Sequence, residues 1–282
     1  MKKILIPTDF SENAWNALQY ALDLYKDETC NFFILNAYSP PIVSPTNPIT
    51  SASTTKVLLD VAKKSAEEGL AAVMARINES YSSSKHQFET IASYDFLVSA
   101  VKETVKEKEI DMVVMGTKGA SGLKEVIMGS NTAGVIGHIE CPLLAIPEEA
   151  VFKPLKELAF ATDYAYYHER FELAELLELA QKYNASICVL HALEHKDGLS
   201  KEQELVRQHL DELMEPIQHS FHTLTRVSLE TATRTFTQSR DIDMLCMVTK
   251  HHSFLTRLFG KPRVEEISFH TKIPLLVLKE VS

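Results

Sequence analysis

The chain has 282 residues, which suits two domains of about 140 residues each. Hydrophobic residues make up 45% and charged residues 24%, the balance of a soluble globular protein. The formal net charge of −9 argues against nucleic acid as a default partner, since phosphate-backbone binding needs a basic face. No apolar run approaches the ~20 residues of a membrane span, and MKKILIPTDF turns polar too soon for a signal peptide.

Taken in chain order, Ile4-Leu5-Ile6 reads as a short buried strand closed by Pro7. Ala14, Leu18, Ala21, Leu22 and Tyr25 then recur along one helical face, with Ser11 as a cap. Phe32 to Ala37 is a second strand. A long amphipathic helix spans about Thr55 to Tyr81. His86 to Ala92, Asp111 to Met115 and Leu143 to Ile146 complete five strands, and helices span about Tyr94 to Lys108 and Asn131 to His138. Continuous apolar strands alternating with helices imply a parallel sheet covered on both faces, with right-handed crossovers. Two segments stand apart. YSPPIVSPTNPITSAS at 38–53 has the composition of a loop and the length of a lid. PEEAVFKPLK at 147–156 reads as an interdomain linker.

The second half repeats the first. Its strands are expected at Leu158 to Phe160, Ile187 to Leu190, Val227 to Thr231, Met244 to Val248 and Leu275 to Leu278. Ser200 with Gln203 makes a capping box before its long helix. Thr231 to Ile242 is near the minimum for a crossover, so a helix of one or two turns is expected there. DMVVMGTK at 111–118 returns as DMLCMVTK at 243–250, and HIECPLLAI at 138–146 as HTKIPLLVL at 270–278, both at an offset of 132 residues. LIPTDF at 5–10 answers AFATDY at 159–164. The expected fold is therefore α/β: two tandem doubly wound domains, 1–147 and 155–282, each with a five-stranded parallel sheet flanked by helices. PLLAI and PLLVL are apolar edges that need a partner, so the halves are expected to pair side by side as an intramolecular pseudo-dimer, with a further homodimer left open. Cys30, Cys141, Cys188 and Cys246 form no CxxC pair and read as buried thiols of a reducing cytoplasm.

The halves differ at one place. The first reads Gly116-x2-Gly119-x9-Gly129-Ser130, a glycine frame that follows a strand and opens a helix. Glycines let backbone approach a ligand, and the first N–H groups of a helix have no internal partner and favour anions. Ser130 and Thr132 add hydroxyls, and Lys118 adds charge. The second half has Val248, His251, Lys261 and Pro262 at the four matching positions. In an open parallel sheet, ligands bind beyond the strand C-termini where strand order reverses. Pro7-Thr8-Asp9, Asn36-Ala37-Tyr38 and Met115-Gly116 all stand at such ends. Neither a GxSxG elbow, nor HExxH, nor a GxxxxGK[ST] loop is present, and His251-His252 lacks a spaced second ligand pair for a metal.

The glycine frame, the start ILIPTDFS and the run CPLLAIP resemble the universal stress protein family, over essentially the whole chain as two tandem units. The resemblance implies an ATP-type nucleotide at this crevice, ATP or ADP or AMP, with Mg. Asp9 would lie near the ribose and any metal. Ala37 would meet the adenine through its backbone, and Met115 and Gly116 would line adenine and ribose. Gly119, Gly129, Ser130, Asn131 and Thr132 would surround the phosphates, and Pro7 and Thr8 would shape the floor. The expected role is that of a cytoplasmic, regulatory nucleotide binder. The rival readings are a slow ATPase or phosphotransferase with Asp9 as base, and an interaction scaffold without nucleotide.

Overall fold

The computed structural model describes residues 1–39, 52–81, 85–117, 130–193, 198–249 and 272–280, with backbone alone at 52–55 and 130. In the first half β1 (Lys2–Pro7), α1 (Glu12–Leu24), β2 (Cys30–Tyr38), α2 (Ala52–Ser80), β3 (His86–Tyr94), α3 (Leu97–Lys108), β4 (Met112–Gly116), α4 (Ser130–Ile136) and β5 (Leu143–Ile146) follow in order. The second half runs β6 (Glu157–Ala161), α5 (Ala174–Tyr183), β7 (Ser186–Leu193), α6 (Lys201–Met214), β8 (His219–Thr225), α7 (Leu229–Ser239), β9 (Met244–Thr249) and β10 (Leu275–Lys279).

The strands form one sheet in the order β3-β2-β1-β4-β5-β10-β9-β6-β7-β8. Within each half every pairing is parallel. The single antiparallel junction joins β5 to β10, with Ala145 opposite Leu275 and Leu143 opposite Val277. Each of these strands closes the other's edge, which explains why such short, largely apolar strands stand where a sheet edge would otherwise invite aggregation. The two expected five-stranded sheets are thus present as halves of one ten-stranded sheet.

The alternation of β1 sends Ile4 and Ile6 to one face and Leu5 to the other. α1, α2, α5 and α6 cover the first face, and α3, α4 and α7 the second. Ser11 caps α1 by accepting from Ala14 N, and Ser200 with Gln203 closes a capping box on α6. A buried ionic knot ties the halves across the first face. Glu175 of α5 accepts from Lys2 Nζ at 2.6 Å and from the Tyr25 hydroxyl at 2.7 Å. Lys182 of α5 donates to Leu24 O and to Glu28, both at 2.6 Å. The segment 147–156 is packed rather than loose: Leu155 is buried, and Phe152 lies 5.4 Å from Tyr20 and 5.9 Å from Tyr183, ring to ring.

Two expectations need correction. The third strand of the second half is His219–Thr225 and not Val227 to Thr231; those later residues enter α7, which Ser228 caps by accepting from Thr231 N. α7 has 11 residues, so the crossover carries three turns rather than one or two. In the first half Tyr94 ends β3, and α3 starts at Leu97. All four cysteines are free and buried. Residues 40–51 of the loop expected at 38–53, together with Lys118, His251 and His252, lie outside the described residues.

Candidate site at the strand switch point

β1 is flanked by β2 and β4, and the chain leaves it in one direction through β2 and returns on the other side as β4. The C-terminal ends of β1 and β4 therefore bound the crevice where strand order reverses. The loop after β1 is held in place by its own polar groups. Thr8 N donates to Leu35 O at 2.8 Å, extending the ladder by one step. Thr8 Oγ1 accepts from Phe10 N at 3.0 Å, and Asn36 Nδ2 donates to Thr8 O at 2.8 Å. Asp9 Oδ1 accepts from Ser11 N at 3.1 Å and from Ser11 Oγ at 2.6 Å, which fixes an exposed carboxylate at the rim. Phe10 takes a left-handed φ of 64°, a region non-glycine residues seldom occupy.

On the other wall, β4 ends at Gly116. A Cβ there would lie 2.4 Å from Asn13 Nδ2, so any side chain at 116 would have to push buried Asn13 aside. Thr132 of α4 donates its hydroxyl to Gly116 O at 2.9 Å and is 2% exposed. That bond pins the start of α4 beside the end of β4. It also commits the hydroxyl proton that the sequence reading assigned to phosphate, leaving Thr132 its backbone N–H. Pro7 is buried in register with Leu35, Met115 sends its side chain into the core, and Ala37 is half-buried opposite Ser93 of β3. Asn131 is exposed, and Ser130 begins α4. Gly119 and Gly129 lie outside the described residues. Asp9, Ala37, Gly116 and Thr132 are thus gathered on three adjacent strand ends and the helix beside them. Asn13 is the residue that sequence reasoning missed; its signal was its position in the first turn of α1.

Among the described residues no group of three His, Cys, Asp or Glu side chains is placed to hold a metal. Mg2+ commonly keeps several waters and binds through one or two carboxylates plus substrate phosphates, and Asp9 fits that single-carboxylate role. Among the same residues no helix is long and apolar enough to cross a membrane.

Residues 1–147 match the family model described as the Universal stress protein family. The chain belongs to the universal stress protein family. Universal stress protein MJ0577 of Methanocaldococcus jannaschii is 30% identical over 161 residues, which cover 51% of this chain and 94% of that protein. Universal stress protein MJ0531 of the same organism is 27% identical over 156 residues, covering 55% of this chain and 85% of that one. A crystal structure of a universal stress protein from Archaeoglobus fulgidus covers 98% of both chains with a TM-score of 0.71 at 19% identity. That likeness establishes the fold over the full length, including the parallel sheet flanked by helices.

Proposed function

We propose that this universal stress protein binds one adenine nucleotide per chain, ATP or its ADP or AMP relatives with Mg2+, at the switch-point crevice of residues 1–147. Residues 155–282 form a companion unit that has lost the capacity. The observation that carries the reading is the placing of Asp9 just past the end of β1 and of Gly116 at the end of β4, adjacent parallel strands that pair Ile4 with Met112 and Leu5 with Val113. A carboxylate for ribose or metal thus stands just past one strand end, beside a neighbouring strand that ends without a side chain, where open α/β sheets take ligands. The glycine frame then continues through Gly119 and Gly129 into α4.

A phosphate is held largely by charge-assisted hydrogen bonds from backbone N–H groups, worth roughly 1.5–3 kcal/mol each. The first half offers Gly119 and Ser130 to Thr132. In the second, Pro262 has no N–H, and Val248 and His251 bring side chains to the approach. Losing two contacts costs about 3–6 kcal/mol, or on the order of 10²–10⁴ in affinity. The role is regulatory: nucleotide occupancy changes the surface offered to partners in the cytoplasm. Mass spectrometry of small molecules released from the purified, denatured protein tests the reading directly. It should find an adenine nucleotide at no more than one per chain. Absence of such a molecule, together with no equilibrium binding of labelled ATP, would leave the scaffold reading. Single-turnover hydrolysis that is lost in Asp9→Ala would instead support an ATPase.

A further inference from the structure

The first half carries a second concavity that the nucleotide reading does not use. A cavity of about 400 Å3 opens between α1 and α2. Its floor is Ile6 and Ile34 of the sheet with Leu18 of α1, all buried. Trp15 forms one side, and α2 presents a face of small residues, Gly69 and Ala72, on the other. Asp9, Ala37 and Gly116 do not line it, although Thr8, Phe10 and Ser11 of the loop after β1 do.

The charges at its mouth are already engaged. Arg76 donates to the two carboxylate oxygens of Glu12 at 2.8 and 2.9 Å and lies 4.0 Å from the Trp15 ring centre. Glu68 pairs with Lys64 at 3.6 Å. Ser65 supplies a hydroxyl at the rim. Phe10 stands at the opening, 39% exposed, with its ring across Gly69, where a Cβ would lie 2.4 Å from Cε2 and Cζ. A glycine inside a long helix is unfavourable, and here it is what lets the ring lie flat on α2. The matching Tyr164 of the second half has the same left-handed backbone, φ 53°, but is 2% exposed, with its ring 4.7 Å from that of His191. One aromatic ring is taken into the fold, while its counterpart is left at the mouth of an apolar cavity.

We propose that this cavity is a second ligand site, for an uncharged, mainly hydrocarbon molecule with one hydrogen-bonding end, a small cyclic alcohol in class. An apolar cavity of about 150 Å3 already binds benzene, and small-molecule pockets run from about 300 to 1,000 Å3, so the size is sufficient. A charged ligand would lose its water over Ile6, Ile34 and Leu18, and the charged groups at the mouth, Arg76 and Glu68, already have partners. A neutral ring gains apolar contact there and keeps its hydroxyl at the Ser65 rim.

Trp15 is the chain's one tryptophan, so its emission reports on the cavity directly. Cyclohexanol titrated into the full chain without nucleotide should change that emission saturably and raise the unfolding midpoint. Ala72→Phe, at an exposed position on the mouth, should abolish both effects. Ala71→Phe, exposed on the same helix but off the cavity, should retain them. The cyclohexylammonium ion should bind roughly tenfold or more weaker than cyclohexanol. A response that stays linear in cyclohexanol would overturn the proposal, as would a saturable response and midpoint shift unchanged in Ala72→Phe. Neither readout needs nucleotide, and ATP affinity should be unaltered by Ala72→Phe, so failure here and failure of the nucleotide reading are separate results.

Discussion

Asp9 and Asp163 stand after the first strands of the two halves in nearly the same loop. Thr162 N donates to Leu190 O at 3.0 Å as Thr8 N does to Leu35 O, and Tyr164 N donates to Thr162 Oγ1 at 3.1 Å as Phe10 N does to Thr8 Oγ1. Asp163 Oδ1 accepts from Ala165 N at 3.1 Å, and His191 Nδ1–H reaches Thr162 O at 2.8 Å where Asn36 Nδ2 reaches Thr8 O. The Thr-Asp turn is therefore kept by its own hydrogen bonds, whatever it faces. Its surroundings differ. In the first half Gly116 ends β4 against buried Asn13; Val248 and exposed Tyr167 hold the matching sequence positions in the second. The turn belongs to the fold, and the glycine frame beside it is what the two halves do not share.

The largest expected effect breaks that frame. Gly129→Trp should lower ATP affinity by on the order of 10²–10⁴, the worth of about two phosphate contacts, while Lys261→Ala at the equivalent place should leave it unchanged. Equal losses in a binding titration would mean that both halves hold the nucleotide.

Next in size is the knot between the halves. Removing one partner of a buried ion pair costs roughly 3–5 kcal/mol, because the other charge is left stranded. Glu175→Ala should therefore lower stability by about that amount in denaturant unfolding, since it strips Lys2 and Tyr25 of their shared acceptor. Loss of stability confined to one half, seen as two separated transitions, would show the halves to be energetically independent.

The smallest effect compares Asp111 with Asp243, which occupy equivalent places before β4 and β9. Asp111 accepts from Lys3 N at 2.7 Å at an exposed site. Asp243 is buried, accepts from Lys156 N at 2.6 Å and Glu157 N at 3.1 Å, and pairs with Lys153 at 2.7 Å. Desolvation pushes its pKa up, but the bonds to Lys153, Lys156 and Glu157 outweigh it and hold the pKa below the ordinary value. A depressed carboxyl stabilises the fold fully above the unfolded pKa of about 4, and the gain is lost as pH falls through the lower folded value. Asp243→Ala should cost roughly 1–3 kcal/mol at neutral pH, more than Asp111→Ala, with the difference shrinking below about pH 4. A difference that persisted undiminished at lower pH would place the effect in packing rather than charge.

Strand and helix order was legible because the β1, β4, β6 and β9 runs are apolar on both faces, and because the second half repeats the first at a constant offset. The β3 and β8 edges were less so. His219–Thr225 alternates half-buried and exposed residues and carries only Phe221 and Leu224 as apolar signal, so Val227, which precedes the Ser228 cap, drew the strand too far along. The proposed site rests on Asp9 and the glycine frame, which motif and position single out. The roles of Asn13 and of the Thr132 hydroxyl could not be read that way, since both depend on a contact between residues far apart in sequence. The α1–α2 cavity left one trace in the sequence, Gly69 inside a helix, which periodicity alone does not interpret.

Titration calorimetry of the full chain with ATP and Mg2+ tests the central claim most directly. One site per chain is expected, persisting in Lys261→Ala and lost in Gly129→Trp. Two equivalent sites per chain, or a site that survives Gly129→Trp, would contradict it.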